Sequence, residues 1–372
     1  MKMLQLEECC EILDSMRVPI TAKDRKKGPY PYYGANGVQD YVADYIFDDD
    51  LVLLAEDGGN FGSDKRPIAY KVSGKCWVNN HAHVLKPKAD MDVDYLCYSL
   101  MFYKVDGMVN GATRMKLTQA AMRRMLIPSR TIEGQKAVVR LLNRIQMLIK
   151  VEKEQLKKYD ELIKSRFVEM FGDPATNPLG WEKTRLGDEC YYIKDGPHKS
   201  LPDIGEENGG HPFISVRNIV NGYIDFSTAK YISDEDYNDA IKKCRPEKGD
   251  ILYSKGGTTG IAKLIDVDVE FANWVHLAVL KFDKSVLNGI FFENMLNCDY
   301  CYAQSQKLTK GIVNRDLVLS AMSKIEMYRP PVELQEQFAS FIHQIDKLRF
   351  VTQKSLAETQ QLFDSLMQKY FG

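Results

Sequence analysis

Pro128-Ser-Arg-Thr-Ile-Glu133-Gly-Gln135 opens a segment that closes at Phe171-Gly172, and 200 residues later Tyr328-Arg-Pro-Pro331-Val-Glu333-Leu-Gln335 opens one that closes at Phe371-Gly372. Over 127–172 and 327–372 the register holds without a gap, with Gln135/Gln335, Ile145/Ile345, Leu148/Leu348, Val151/Val351, Leu162/Leu362 and Phe171/Phe371 among the identical pairs. A period this long marks a duplicated unit rather than a solenoid. Apolar residues in each copy recur at three- and four-residue steps: Val138, Leu141, Leu142, Ile145, Leu148, Ile149 and Leu156 in the first, Phe338, Phe341, Ile342, Ile345, Leu348 and Leu356 in the second. That spacing is helical. Both stripes shift register near 149 and 349, as a coiled coil does at a stutter. Proline precedes each helix, and Gly172 followed by Pro174 stops the first. Some forty helical residues span about 60 Å. Such a helix is too long for the inside of a compact domain, so the two are expected to pack on each other, antiparallel.

The remaining segments, 1–126 and 173–326, read as mixed strand and turn with short helices. Leu51-Val-Leu-Leu54, His83-Val-Leu85, Ile251-Leu-Tyr253 and Leu277-Ala-Val-Leu280 lie between Gly, Asn and Asp clusters, as strands do. Fainter duplication links them at shifts of 180 to 200. Leu6-x-Glu8-x-Cys10 echoes Leu186-x-Asp188-x-Cys190, and Gly58-Gly59-Asn-Phe-Gly62 echoes Gly256-Gly257-Thr-Thr-Gly260. His81-x-x-Val84-Leu85-Lys86 echoes His276-x-x-Val279-Leu280-Lys281. The order is therefore globule, long helix, diverged globule, long helix.

With 372 residues and 44% hydrophobic content the chain can bury an ample core. No run of eighteen apolar residues occurs and the start lacks a signal-peptide pattern, so the expected location is the cytoplasm, with no membrane partner. The eight cysteines show no framework spacing and are expected to be reduced. Cys298-Asp-Tyr-Cys301 is a lone pair, where a structural zinc site needs four ligands. A net charge of −1 argues against binding driven by bulk charge. Only the first long helix has a clear basic excess, so any grip on nucleic acid comes from local patches or from a partner.

At these residues the chain resembles the DNA specificity subunits of type I restriction-modification systems, over essentially its whole length. Pro128 to Gln135, and more closely Pro330-Pro331-Val-Glu333-Leu-Gln-Glu-Gln337, match that family's helix start, and Phe167-Val-Glu-Met-Phe171-Gly172 its helix end. Tyr33-Gly-Ala-Asn36-Gly37, Asp57-Gly-Gly-Asn60 and Val78-Asn-Asn-His-Ala-His-Val84 resemble one recognition-domain type; Phe213-Ile-Ser-Val-Arg-Asn-Ile219 and Gly249-Asp-Ile-Leu252 resemble another. The resemblance implies an α+β fold: two mixed α/β target-recognition domains, 1–126 and 173–326, separated by two long antiparallel coiled-coil helices, 127–172 and 327–372, in a pseudo-two-fold tandem duplication. It also implies a subunit without catalysis of its own. Such a subunit binds an asymmetric two-part sequence in double-stranded DNA and carries two modification (methyltransferase) subunits and, in restriction complexes, two restriction subunits.

The residues agree in what they lack. There is no glycine-rich cofactor loop with an Asn/Asp-Pro-Pro-Tyr/Phe site, and Gly256-Gly-Thr-Thr-Gly260 lacks the spacing of a phosphate loop. No cofactor is called for. His81 and His83 share one strand face at a spacing that some metal sites use, but structural or DNA-bonding roles fit them better, and no metal is expected. Base edges are read best by Arg, Lys, Asn and Gln. Candidates in polar loops are Asn36, Asn60, Asn79, Arg114 and Lys116 in the first globule, and Lys199, Arg217, Asn218, Lys255, Asn314 and Arg315 in the second. Gly111-Ala-Thr-Arg-Met-Lys116 and Lys310-Gly-Ile-Val-Asn-Arg315 hold corresponding places before each long helix. Two rivals stay open: a coiled-coil scaffold with two protein-binding heads, and an enzyme with an unrecognised site.

Overall fold

The computed structural model describes residues 2–63, 65–111 and 115–372. The chain divides into two compact units, the first made of Met1–Glu154 with Gln353–Gly372 and the second of Gln155–Thr352. Both long helices form, Ile132–Phe171 and Val332–Phe371, each of 40 residues and still offset by 200. They run unbroken through 149 and 349. Gly172 ends the first with φ +74°, and a Cβ there would fall 2.7 Å from the Pro178 ring. Each unit thus holds one globule, the start of one long helix and the end of the other.

In the first unit the central sheet is antiparallel, in the spatial order Cys10–Ile12, Ala82–Pro87, Leu51–Ala55, Ala69–Val72. Every residue of Leu51–Ala55 is buried, which explains its unbroken apolar run. Helix Val93–Met101 starts where the Asp92 carboxylate accepts from the Asp94 and Tyr95 amides. A second sheet places Lys27–Gly34 between Gly37–Val42 and Lys75–Val78, antiparallel to the former and parallel to the latter. Met3–Gln5 pairs with Leu126–Pro128, tying the chain's beginning to the run into the first long helix.

The second unit repeats this plan. Its central sheet orders Cys190–Asp195, Leu277–Phe282, Ile251–Ser254 and Ala262–Leu264. Asn288 caps helix Gly289–Asn297 as Asp92 caps its counterpart. Glu182–Arg185 pairs with Glu326–Arg329 beside the second long helix, and His211–Ile214 runs parallel to Ala272–Asn273.

Each globule packs on its own pair of helix segments. In the first unit Leu6, Tyr95, Met122 and Ile127 share a core with Val138, Leu142 and Ile145 of one helix and Phe363 of the other. The Tyr95 and Phe371 rings lie 5.1 Å apart. In the second unit Phe171 meets Phe291 at 4.8 Å and Phe338 at 5.5 Å. Within each unit the segments run antiparallel. Arg130 lies over Tyr370 and Ser355 bonds Glu152 in the first, while Arg349 pairs with Asp160 and Arg166 lies over Phe341 in the second. Not all of the sequence stripe faces inward: Leu141, Leu148 and Leu348 are exposed.

The shared glutamine explains how each helix is joined to its globule. Gln135 is buried; its Oε1 accepts from the Asp92 amide at 2.8 Å, and its Nε2 donates to the Asp90 and Arg130 carbonyls, both at 3.0 Å. Gln335 repeats the pattern, accepting from the Asn288 amide at 2.8 Å and donating to the Val286 and Pro330 carbonyls at 3.2 and 2.8 Å. Replacing either by leucine strands one part-buried amide and two carbonyls, each costing up to about 1–3 kcal/mol when unpaired. Gln335→Leu is expected to lower the stability of the second unit by about 3 kcal/mol and to leave the first unchanged, as read by urea unfolding with hydrogen exchange resolved by unit.

Candidate functional site

Each central sheet carries at one end a glycine turn, Asp57–Asn60 in the first unit and Gly256–Gly260 in the second, and the chain before the long helix closes over it. The closure is the same in both. Leu117 N donates to Glu56 O at 2.7 Å while Glu56 N donates to His81 O at 2.9 Å; Leu317 N donates to Lys255 O at 2.7 Å while Lys255 N donates to His276 O at 2.8 Å. Glu56 and Lys255 are therefore equivalent, as are Lys116 and Asp316. Their charges are reversed. Lys116 pairs with Glu56 at 3.0 Å in the first unit, and Lys255 pairs with Asp316 at 3.0 Å in the second.

Around the first turn the structure gathers Asn36, Asn60, Asn79 and Lys116. Asn36 is exposed and donates to Gly58 O at 2.9 Å, and half-buried Asn60 reaches Pro67 O at 3.5 Å. Asn79 is buried, accepting from the His81 amide and donating to Gln39; both ends of its amide are committed internally. Lys116 is half exposed beyond its bond to Glu56. Arg114 lies outside the described residues.

Around the second turn come Lys255, Asn314 and Arg315. Lys255 is buried between Asp316 and Asp195. The Arg315 guanidinium is held by Gln306 and Thr259, and Asn314 is exposed. The other three candidates bond elsewhere in the unit: Lys199 pairs with Asp236 at 3.2 Å and Arg217 donates to Thr228 O at 2.7 Å. Asn218 is buried and spends its amide on Ser215, Asp225 and Thr228. Asn79, Asn218 and Lys255 thus shape their loops in this conformation, while the exposed members offer groups to a ligand.

Beneath the first turn lies a buried charge cluster that sequence reading did not assemble. His83 is buried with Nδ1 2.6 Å from Asp14 and Nε2 2.9 Å from the Leu117 carbonyl, so acceptors hold both ring nitrogens. Arg17 bonds Glu56 at 2.6 Å and reaches Asp14 at 3.5 Å. Asp14, Glu56 and His83 lie close enough together to hold a cation, but Arg17 and Lys116 already supply the positive charge. Burial raises the Asp14 carboxyl; His83, the Val84 amide and Gln119 outweigh it and hold it below its ordinary value. Burial likewise raises the Glu56 carboxyl, and the Arg17 and Lys116 hydrogen bonds with the nearby His83 outweigh it and hold it below its ordinary value. The cluster fixes Leu117 and hence the closing loop. Apart from Arg17, the partners of Asp14 are 69 or more residues away in sequence, so no local motif signals the cluster.

One asymmetry follows from Gly256. Where Asp57 contacts His81 Nδ1 at 2.7 Å in the first unit, the second has glycine, and a Cβ there would fall 1.9 Å from His276 Nδ1. His276 Nδ1 and Trp274 Nε1 are buried without a hydrogen-bond partner among the described residues. Cys298 and Cys301 belong to no ligand cluster among the described residues, and the Cys301 thiol bonds the Glu326 carbonyl.

The sequence profile of the type I restriction modification DNA specificity domain matches residues 1–159 and 178–360. A Haemophilus influenzae protein provisionally assigned as a type I restriction enzyme specificity subunit is 26% identical over 354 residues, covering 92% of this chain and 87% of that protein. The MjaVIII specificity subunit of Methanocaldococcus jannaschii is 19% identical over 396 residues, covering 98% and 91%. Among solved structures, the S subunit from M. genitalium superposes with a TM-score of 0.60 at 13% identity, covering 100% of this chain and 96% of that one. A chain from a type I restriction-modification structure describing complex assembly and conformational transition gives 0.56 at 15%, covering 100% and 97%. Among the described residues no helix is long and apolar enough to cross a membrane.

A depressed carboxylate contributes stability that is present above its unfolded value, near 4, and is lost as pH falls through the folded value. Asp14→Asn is therefore expected to destabilise the first unit by about 3 kcal/mol at neutral pH, with the gap to wild type narrowing below about pH 4. Hydrogen exchange of the Ala82–Pro87 strand across that range measures it, and a gap that stayed constant would assign the effect to shape rather than charge.

Proposed function

This chain belongs to the type I restriction modification DNA specificity family, and from that premise we propose that its two units read the two halves of an asymmetric, two-part target in double-stranded DNA. One observation carries the reading. The glutamine brace and loop closure repeat in each unit, while the turn chemistry they present is reversed or replaced. Equivalent frames with unequal surfaces suit a target of two unlike parts. Recognition domains at 1–126 and 173–326 with helices at 127–172 and 327–372 are the modules of this reading. Asn36, Asn60, Lys116, Lys199, Arg217, Asn314 and Arg315, with Arg114, supply polar groups toward bases and phosphates; Asn79, Asn218 and Lys255 hold the loops.

Catalysis belongs to partners on this reading, and the helices suggest where they bind. The identical pairs Leu148/Leu348, Val151/Val351 and Leu162/Leu362 are all exposed. Packing within the chain does not account for retaining apolar identity at solvent-facing positions. Leu148 and Val151 share a helix face, as do Leu348 and Val351. One such patch in each unit fits two copies of one modification subunit, and the same scaffold accommodates two restriction subunits where these exist.

Replacing residues 1–126 with a homologous recognition domain is expected to change one half of the methylated motif and to leave the other intact, as read by methylome sequencing. Leu148→Asp/Val151→Asp and Leu348→Asp/Val351→Asp are each expected to reduce the modification subunits per chain from two to one, by native mass spectrometry. Undiminished occupancy in both variants would move the contact off these patches.

A further inference from the structure

The most exposed apolar side chains among the described residues lie on the closing loop of the second unit. Ile312 is 96% exposed and its neighbour Val313 90%. Nothing about the loop is slack. Lys310 and Asp316 exchange two backbone hydrogen bonds of 2.9 Å across its base, the Gly257 amide donates to Arg315 O at 3.0 Å, and Asp316 pairs with Lys255. Gly311 turns with φ +84°, and a Cβ there would fall 2.2 Å from the Asn314 carbonyl. The loop is thus braced on both sides of a tip made of two stiff, β-branched side chains, which lose little freedom on meeting a surface.

The surroundings state what that surface is. From Tyr300 to Arg315 the sequence has no carboxylate, Asp316 is engaged by Lys255, and Lys307 and Lys310 are exposed. Exposed lysines at the base of the loop and one helical turn before it, leading to an apolar tip, match an anionic partner that has an apolar feature at its bottom. In the DNA major groove the apolar group on the base edges is the thymine C5 methyl. We propose that Ile312 and Val313 read thymine by seating against C5 methyl groups in the half-site recognised by the second unit, with Lys307 and Lys310 on flanking phosphates. This deepens the DNA-reading function above and rests on it.

The test uses the chain assembled with its cognate modification subunit and the target established by methylome sequencing. Affinity is measured on duplexes carrying the full site and on duplexes in which each thymine of that half-site, on either strand, is replaced by deoxyuridine, which lacks only the methyl. For wild type, replacement at one or two positions is expected to weaken binding about fourfold per methyl. For Ile312→Ala/Val313→Ala, thymine and deoxyuridine duplexes are expected to bind equally at those positions. Equal wild-type binding to both at every position, a variant that keeps the wild-type ratio, or a half-site without thymine overturns the proposal. Wild-type binding to the unmodified site is measured first. If it is present, these outcomes strike the loop proposal alone; if it is absent, the DNA-reading function falls as well.

Discussion

One buried glutamine per unit sets the relation between recognition surface and scaffold. A side-chain amide has one acceptor and two donors to offer, and Gln135 and Gln335 spend all three on the backbone where globule and helix meet. The bonded amide belongs to the residue that caps the next helix, Asp92 or Asn288, so the cap, that helix and the long helix are located by one side chain. Apolar packing alone could slide along a helix by a turn; three directed hydrogen bonds cannot. The aromatic cores around Tyr95 and Phe371, and around Phe167 and Phe338, then fill the space that this register leaves.

Much of this was legible in the sequence, because the duplication supplies its own control. A residue identical at a displacement of 200 in two diverged halves is there for a shared physical reason, and Gln135/Gln335 is one such pair. The strands are legible for a plainer reason, since Leu51–Ala55 and Leu277–Leu280 are apolar runs. Periodicity misjudged what faces inward at Leu141, Leu148 and Leu348, because apolar spacing identifies a stripe but not whether all of its width is covered.

The candidate site was legible only as a set of loops. Asn79, Asn218 and Lys255 sit in polar loop sequence that looks ready to bind a ligand, yet each is turned inward, because a loop that must hold a shape needs its own hydrogen bonds satisfied. The Asp14–His83–Arg17–Glu56 cluster escaped notice because its members lie up to 69 residues apart, with no spacing to betray them. Ile312 and Val313 escaped for the opposite reason. Their loop is marked by sequence, but a search for hydrogen-bonding side chains passes over apolar ones until their exposure is seen.

The reversed pair behind the closing loops has a consequence for inheritance. Two similar halves of one gene invite recombination between them, and the backbone frames of the two units would accept each other's loops. The charges would not. A first-unit loop transplanted into the second would set Lys116 against Lys255, and the reciprocal graft would set Asp316 against Glu56, each beside groups too buried for water to screen fully. Like charges at salt-bridge distance in such a setting repel rather than clamp. The lock keeps each loop with its own half, so internal gene conversion is penalised at the loops while exchange of an entire half, lock and key together, remains open.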